Sequence, residues 1–187
     1  ILDMKGQNKL AEKSYDILAK SDLKSYRILE ILLDFYVRNN NKDSAQKIFN
    51  LLTTSGFNIG NFNFSEVNLK IFSPIKKPSD GLAEAYFNIS GWFYENGLFK
   101  FAAYFANIGL KVRPDHQSLN YLLLNIYQKL SLDDLVLKSS KNIKEGDLYY
   151  LKSSKVVIKS LSVLEKNKVI EEYVKSLIIK FPENKEL

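Results

Sequence analysis

Apolar residues recur at helical spacing in five stretches of this chain, with short polar breaks between them and one long interruption. Over residues 1–22, Ala11, Tyr15 and Leu18 fall at i, i+4 and i+7 behind a turn at Gly6, the spacing of one amphipathic helix. Residues 23–56 predict two helices: Leu29, Leu32, Leu33 and Tyr36 stripe the first, Asn39 to Asn41 make a turn, and Ala45, Phe49 and Leu52 stripe the second. Residues 81–115 repeat the arrangement, with Tyr86, Ile89, Ser90 and Phe93, a turn at Gly97, then Ala102, Ala106 and a stop at Pro114. Residues 116–147 carry Leu123, Leu124 and Tyr127, then Leu135, Val136 and Ile143. Residues 148–182 carry Val157, Ile158 and Leu161, a turn at Lys166–Asn167, then Ile170, Val174, Leu177 and Pro182. The polar tail 183–187 is expected to fray.

Between the second and third stretches the helical stripe vanishes. Residues 57–80 are dense in Asn and Ser, and Pro74 and Pro78 forbid regular helix there. We read them as an insertion. Its Phe62, Phe64, Val67, Leu69, Ile71 and Phe72 are too many apolar residues for a free linker, so part of it is expected to pack against the helices. Pro78, Ser79 and Asp80 should end the loop and supply a capping oxygen to the next helix.

The spacing between equivalent positions is regular. Ala11 and Ala45 are 34 residues apart, as are Phe93 and Tyr127; Pro114 and Pro182 are 68 apart; Ala45 and Ala102 are 57 apart, one period plus 23. The chain is therefore predicted to be all-α, a single domain of helix pairs at 1–22 (half a pair), 23–56, 81–115, 116–147 and 148–182. Since Ile1 stands inside an amphipathic pattern, the chain is expected to be a piece of a longer one. The unpaired first helix should present an apolar face that seeks a partner, a second copy included.

Leu82 to Asp115, with Tyr86, Ile89, Ser90 and Phe93 in the order aromatic, aliphatic, small, aromatic, followed by Ala102, Ala106 and Pro114, resembles the tetratricopeptide (TPR) repeat. Ser90 stands where that repeat usually has Gly, and Ala106 where an aromatic is usual. Ser73-Pro74, Ser79 to Ala85 and Leu110 to Asp115 also look like a group of longer alphaproteobacterial multi-TPR proteins. The resemblance implies a right-handed superhelical solenoid of antiparallel helix pairs with one inserted loop. It further implies a non-enzymatic scaffold that binds a partner peptide or helix in a concave groove.

Composition narrows the alternatives. With 187 residues, 45% hydrophobic and 26% charged, the chain is an ordinary globular one, without an uninterrupted apolar run long enough to span a bilayer. The lack of cysteine excludes disulfides and thiolate metal sites and suits a bacterial cytoplasm or a periplasm equally. The net charge of +6 divides as +2 over residues 1–56, +1 over 57–80, +1 over 81–143 and +2 over 144–187. Such spreading is not the clustered basic face of a nucleic-acid binder.

Little in the chain suggests catalysis. His116 is the lone histidine, expected as a solvated residue at the start of a helix; a single imidazole builds neither a zinc site nor a triad. Asp133 and Asp134 are read as helix-dipole and capping residues. No Gly-rich phosphate loop occurs, and neither a metal nor a cofactor is implied.

On the resemblance, the groove would be lined by first helices. Arg27, Glu30, Asp34 and Arg38 stand at groove-facing places in the second stretch. Further along come Phe87, Asn88 and Tyr94, then Tyr121 and Asn125, then a basic row of Lys152, Lys155 and Lys159. Phe87 and Tyr94 are predicted to sit opposite the packing stripe as aromatic anchors, and Asn88 and Asn125 to pair with a peptide backbone. The basic row offers an alternative reading as an anionic-surface or nucleic-acid site. A third is that the chain is the accessory module of an enzyme whose catalytic part lies outside it.

Overall fold

The computed structural model describes residues 2–20, 26–54, 75–145, 147 and 149–182. The anticipated apolar residues of the insertion, Phe62 to Phe72, and the tail after Pro182 lie outside the described residues. Among the described residues every regular element is helical. A short 3-10 turn at Asp3–Lys5 precedes α1 (Asn8–Lys20), α2 (Tyr26–Arg38), α3 (Lys42–Thr54), α4 (Pro78–Glu95), α5 (Phe99–Val112), α6 (Gln117–Lys129), α7 (Asp133–Ser140), α8 (Tyr150–Val163) and α9 (Asn167–Lys180). The chain divides into two compact units, Ile1–Asp80 and Gly81–Leu187.

The turns explain why the helices come in pairs. At Gly6, Asn40, Gly97, Ser131 and Glu165 the backbone takes a positive φ of 55–74°, the left-handed conformation that terminates a helix. Each of the five makes the same pair of hydrogen bonds. At Gly97, for example, Gly97 N–H donates to the Tyr94 carbonyl and Leu98 N–H to the Phe93 carbonyl. The bonds from Ser131 to Gln128 with Leu132 to Tyr127, and from Glu165 to Ser162 with Lys166 to Leu161, match them. This double closure satisfies the carbonyls that a helix end leaves free and sends the chain back along its own side. Gly6 and Asn40 stand 34 residues apart; so do Gly97 and Ser131, and Ser131 and Glu165; Asn40 and Gly97 are 57 apart.

Two of these places carry residues that dislike the conformation. Left-handed backbone costs a side chain about 1–2 kcal/mol, partly offset by the extra unfolded-state freedom of glycine. Ser131→Gly and Glu165→Gly should therefore each stabilise the protein by about 0.5–1 kcal/mol in urea unfolding. Unchanged or lower midpoints for both would mean that these turns are not as described.

In the first unit α2 is enclosed on most sides. Leu29, Leu32, Leu33, Phe35 and Tyr36 are buried, α3 adds Ala45, Ile48, Phe49 and Leu52, and α1 adds Ala11. Tyr15 of α1 tilts over Phe35 at 4.5 Å, Tyr36 donates to Asp16 at 2.6 Å, and Asn41 donates to Glu12 at 3.0 Å. Arg27, Glu30 and Asp34, expected on an open groove, are buried too. They escape solvent by pairing: Arg27 reaches Glu30 at 2.8 Å, and Arg38 bridges Asp34 at 2.8 Å and Asp3 at 2.8 Å. A periodic charge pattern reads as a wet face, but charges that neutralise one another can be enclosed.

Pro78, among the last residues of the first unit, opens α4 at the first helical position, where its missing N–H is no loss. Asp80, expected to cap the free N–H groups of this helix, reaches backward instead, accepting the N–H groups of Lys76 at 2.9 Å and Lys77 at 3.1 Å and so tying the entering chain to the first turn. Small residues then bring α4 against α5: Ser90 and Ala102 are both fully buried, and the Ser90 hydroxyl donates to the Ala102 carbonyl at 2.8 Å. Around them Phe93 stacks on Phe105 at 5.3 Å and on Phe101 at 5.5 Å. Ala102, Ala106, Leu119, Leu123 and Ile126 form one apolar cluster between α5 and α6. Leu124, Val136, Ile143, Val156, Val157 and Leu161 form the next, joining α6, α7 and α8. Tyr173 of α9 closes on Ser154 at 3.0 Å.

Candidate protein-binding surface

The open face of the second unit is set by how α6 and α8 lie side by side. Gln117 at the start of α6 donates to Asp147 at 2.9 Å, the Tyr149 hydroxyl donates to Ser118 at 3.0 Å, and the Tyr121 ring stacks on Tyr149 at 5.1 Å. All three contacts join the N-terminal ends of the two helices, so α6 and α8 meet at a common end. Each turns its buried residues to the clusters described above. What remains outward on α6 is Tyr121, Asn125 and Gln128, half-buried, and Lys129, exposed; on α8 it is Lys152, half-buried, with Lys155 and Lys159 exposed.

The other anticipated residues sit on α4. Asn88 is exposed. Phe87 and Tyr94 are half-buried and pack against the α5–α6 cluster rather than opposite it. Phe87 stacks on His116 at 5.6 Å and Tyr94 tilts against Phe99 at 5.5 Å, while burial pushes the Tyr94 phenol up from its ordinary value. The helical wheel gave each ring a face but not the width of the neighbouring stripe, and the α5–α6 cluster claims both. Tyr121 likewise leans on the α6–α8 cluster. Asn125 donates its amide to the Tyr121 carbonyl at 2.8 Å, which leaves its oxygen as an acceptor.

His116 is not solvated. It is fully buried as the residue that caps α6, with Nδ1 accepting the Leu119 N–H at 3.2 Å. That bond puts the proton of the neutral ring on Nε2, which lies 3.1 Å from Glu84 Oε1. The separation is that of a close polar pair, although its angle is not that of an aligned hydrogen bond. His116 thus holds α4 to the start of α6. The sequence signal for it was weak: Glu84 and Phe87, three apart on α4, offer a polar and an aromatic partner on one helical face.

Trp92 is 57% exposed, and with Ile89 on α4 and Phe101 and Tyr104 on α5 it makes an uncovered aromatic face on the α4–α5 pair. Asp133 and Asp134 do occupy the first turn of α7, where the helix dipole favours them, but no side chain caps that helix. Among the described residues no three His, Asp or Glu side chains gather to hold a metal ion, and no helix is long and apolar enough to cross a membrane. No family model, curated protein or solved structure that was searched matches this chain.

Proposed function

We propose that this chain is a TPR-like solenoid acting as a non-enzymatic scaffold, and that it binds an extended or helical segment of another protein along its first helices. The observation that carries the reading is the recurrence, at 34-residue spacing, of one helix-ending turn with one hydrogen-bond pattern. A unit of that kind cannot bury its own apolar stripe. Stacking neighbours completes the core and, in the second unit, leaves the outer faces of the first helices α6 and α8 open beside each other. The contact of α6 with α8 at their N-terminal ends supports this arrangement, and the amides of Asn88 and Asn125 suit a peptide backbone.

The rings of Phe87, Tyr94 and Tyr121 serve both packing and surface, so truncating them would mix folding with binding. The open amides give the cleaner test. Peptides selected from a random library against the whole chain should bind, and the double variant Asn88→Ala/Asn125→Ala should weaken them about five- to tenfold, roughly 1–1.4 kcal/mol, with its melting temperature nearly unchanged. Equal affinity for parent and variant would contradict the groove, and the Trp92–Phe101–Tyr104 face would take its place as the candidate.

A further inference from the structure

We propose that the aromatic face of the α4–α5 pair seats a second copy of this chain, the two related by a two-fold axis lying along the helices; the pairing goes beyond the scaffold reading and stands without it. Both helices are apolar on two sides. On one side α4 gives Phe87 and Tyr94, and α5 gives Ala102 and Ala106, to the cluster shared with α6. Trp92 stands about 140° from Phe87 and about 160° from Tyr94 round α4, and Tyr104 about 160° from both alanines round α5, so these rings lie away from that cluster. Leu82, Ile89 and Trp92 on α4, with Phe101 and Tyr104 on α5, are each between 40% and 63% exposed. A helix that is apolar all round belongs in an interior, and the described residues leave this side open. The face is continuous and already packed. Phe93 meets Trp92 edge-on at 5.1 Å and stacks on Phe101 at 5.5 Å, while Phe105 stacks on Phe93 at 5.3 Å and meets Tyr104 edge-on at 5.4 Å. Rings held in this way lose little freedom when something settles on them.

Charge selects the occupant. α4 carries Asp80, Glu84 and Glu95 and no base; α5 carries Lys100 and Lys111 and no acid. Asp80 and Glu84 are buried, which leaves Glu95 as the exposed acid of α4 beside the two exposed lysines of α5. Among the described residues none of these three makes an ion pair. They stand on opposite flanks of the rings. Glu95 is about 60° from Trp92 on the side away from Phe93, hence away from α5, and Lys100 and Lys111 are within about 40° of Tyr104 on the side away from Phe105, hence away from α4. Across the pair the order is therefore acid, rings, base, with Glu95 and Lys100 both at the Gly97 end. Such a face complements itself. Turned over about an axis along the helices, a second copy lays its α4 antiparallel on α5 of the first, so that Glu95 of each meets Lys100 of the other and the rings close between them. Turned about an axis across the helices, it would lay acid flank on acid flank. The first arrangement is closed, four helices alternating in direction as in a bundle, with no place left for a third copy.

The whole chain is its own probe. Trp92 is its one tryptophan, so tryptophan emission reports this face alone. In sedimentation equilibrium the chain should pass from one copy to two as its concentration rises through the micromolar range, and Trp92 emission should move to the blue over the same range. Tyr104→Glu, at the most exposed ring of the face, should leave a single copy that circular dichroism shows to be folded. Lys100→Glu and Glu95→Lys should each weaken the dimer about tenfold, because each sets like charges together, and the double variant Glu95→Lys/Lys100→Glu should recover most of that loss. A parent chain that stays single at every concentration would overturn the proposal: emission that is blue throughout would show the face covered by a segment of the same chain, and emission that is red throughout would show it left in water. A dimer indifferent to Tyr104→Glu would overturn it in favour of another surface, α1 included. A dimer lost in Tyr104→Glu but not mended by the charge exchange would overturn the axis along the helices.

Discussion

Replacing Gly109 by valine should destabilise the protein by about 3 kcal/mol, the upper end of what overpacking a core usually costs. Gly109 is on α5 with ordinary helical backbone, so the demand for glycine there is one of space. A Cβ at this position would lie 2.6 Å from Leu119 Cδ2 on α6 and 2.9 Å from Tyr86 Cβ on α4. The leucine methyl can swing aside. The Tyr86 Cβ is fixed to its backbone, so α4 and α5 would have to separate, and with them the Ser90–Ala102 bond and the Phe93–Phe105 stack. Gly91, inside α4, has nothing within 4 Å of an added Cβ. Gly91→Ala is thus the matched control, expected to stabilise by up to about 1 kcal/mol through helix propensity alone. Equal effects of the two substitutions on the urea midpoint would show that α4, α5 and α6 do not meet at Gly109.

Replacing Arg38 by methionine should cost the first unit about 2 kcal/mol at neutral pH. Removing one member of an enclosed ion pair strands the other. The Arg38 side chain is itself 33% exposed, so solvent screening holds the loss below that of a fully buried pair. What is stranded is Asp34, whose carboxyl burial already raises above its ordinary value and the hydrogen bond from Arg38 partly lowers. The sign of the pH dependence follows. A carboxyl raised in the folded state binds its proton more tightly there than in the unfolded chain, so its contribution is full below the unfolded value and declines as pH rises through the raised one. Without Arg38 the carboxyl rises further, so the deficit of Arg38→Met should be largest near neutrality and shrink as the solution is acidified. Adding Asp34→Asn should recover much of it. A deficit that stays constant with pH would mean that the arginine acts through packing alone.

The parts that were legible in the sequence share a cause. Helix pairs, turn positions and the 34-residue spacing are written in local patterns: apolar stripes, Gly97 and the asparagines at the turns, small residues at Ser90 and Ala102. Ser131 and Glu165 were less legible as turn residues because neither favours positive φ; there the tertiary position overrides the local preference. What stayed hidden depends on which neighbour covers which face. His116 looks like a loop residue until Glu84 and Phe87 of a helix some 30 residues earlier close over it. Arg27, Glu30 and Asp34 look wet until Arg27 is seen to pair with Glu30 and Arg38 with Asp34. Phe87 and Tyr94 were given to the groove because a helical wheel assigns directions and not the reach of the α5–α6 cluster. For the candidate surface, the outward places of Asn88, Lys155 and Lys159 could be read from spacing. The sharing of Tyr121 between surface and core could not.

The most direct measurement is a map of where a selected peptide lands. Amide chemical shifts of the isotope-labelled whole chain, followed during titration with that peptide, should move first and most on the outward faces of α4, α6 and α8, around Asn88, Asn125 and Lys155. Residues of α7 and α9 that face away should stay still. Shifts gathered instead around Trp92, Phe101 and Tyr104, or spread evenly over both units, would contradict a binding groove formed by the first helices.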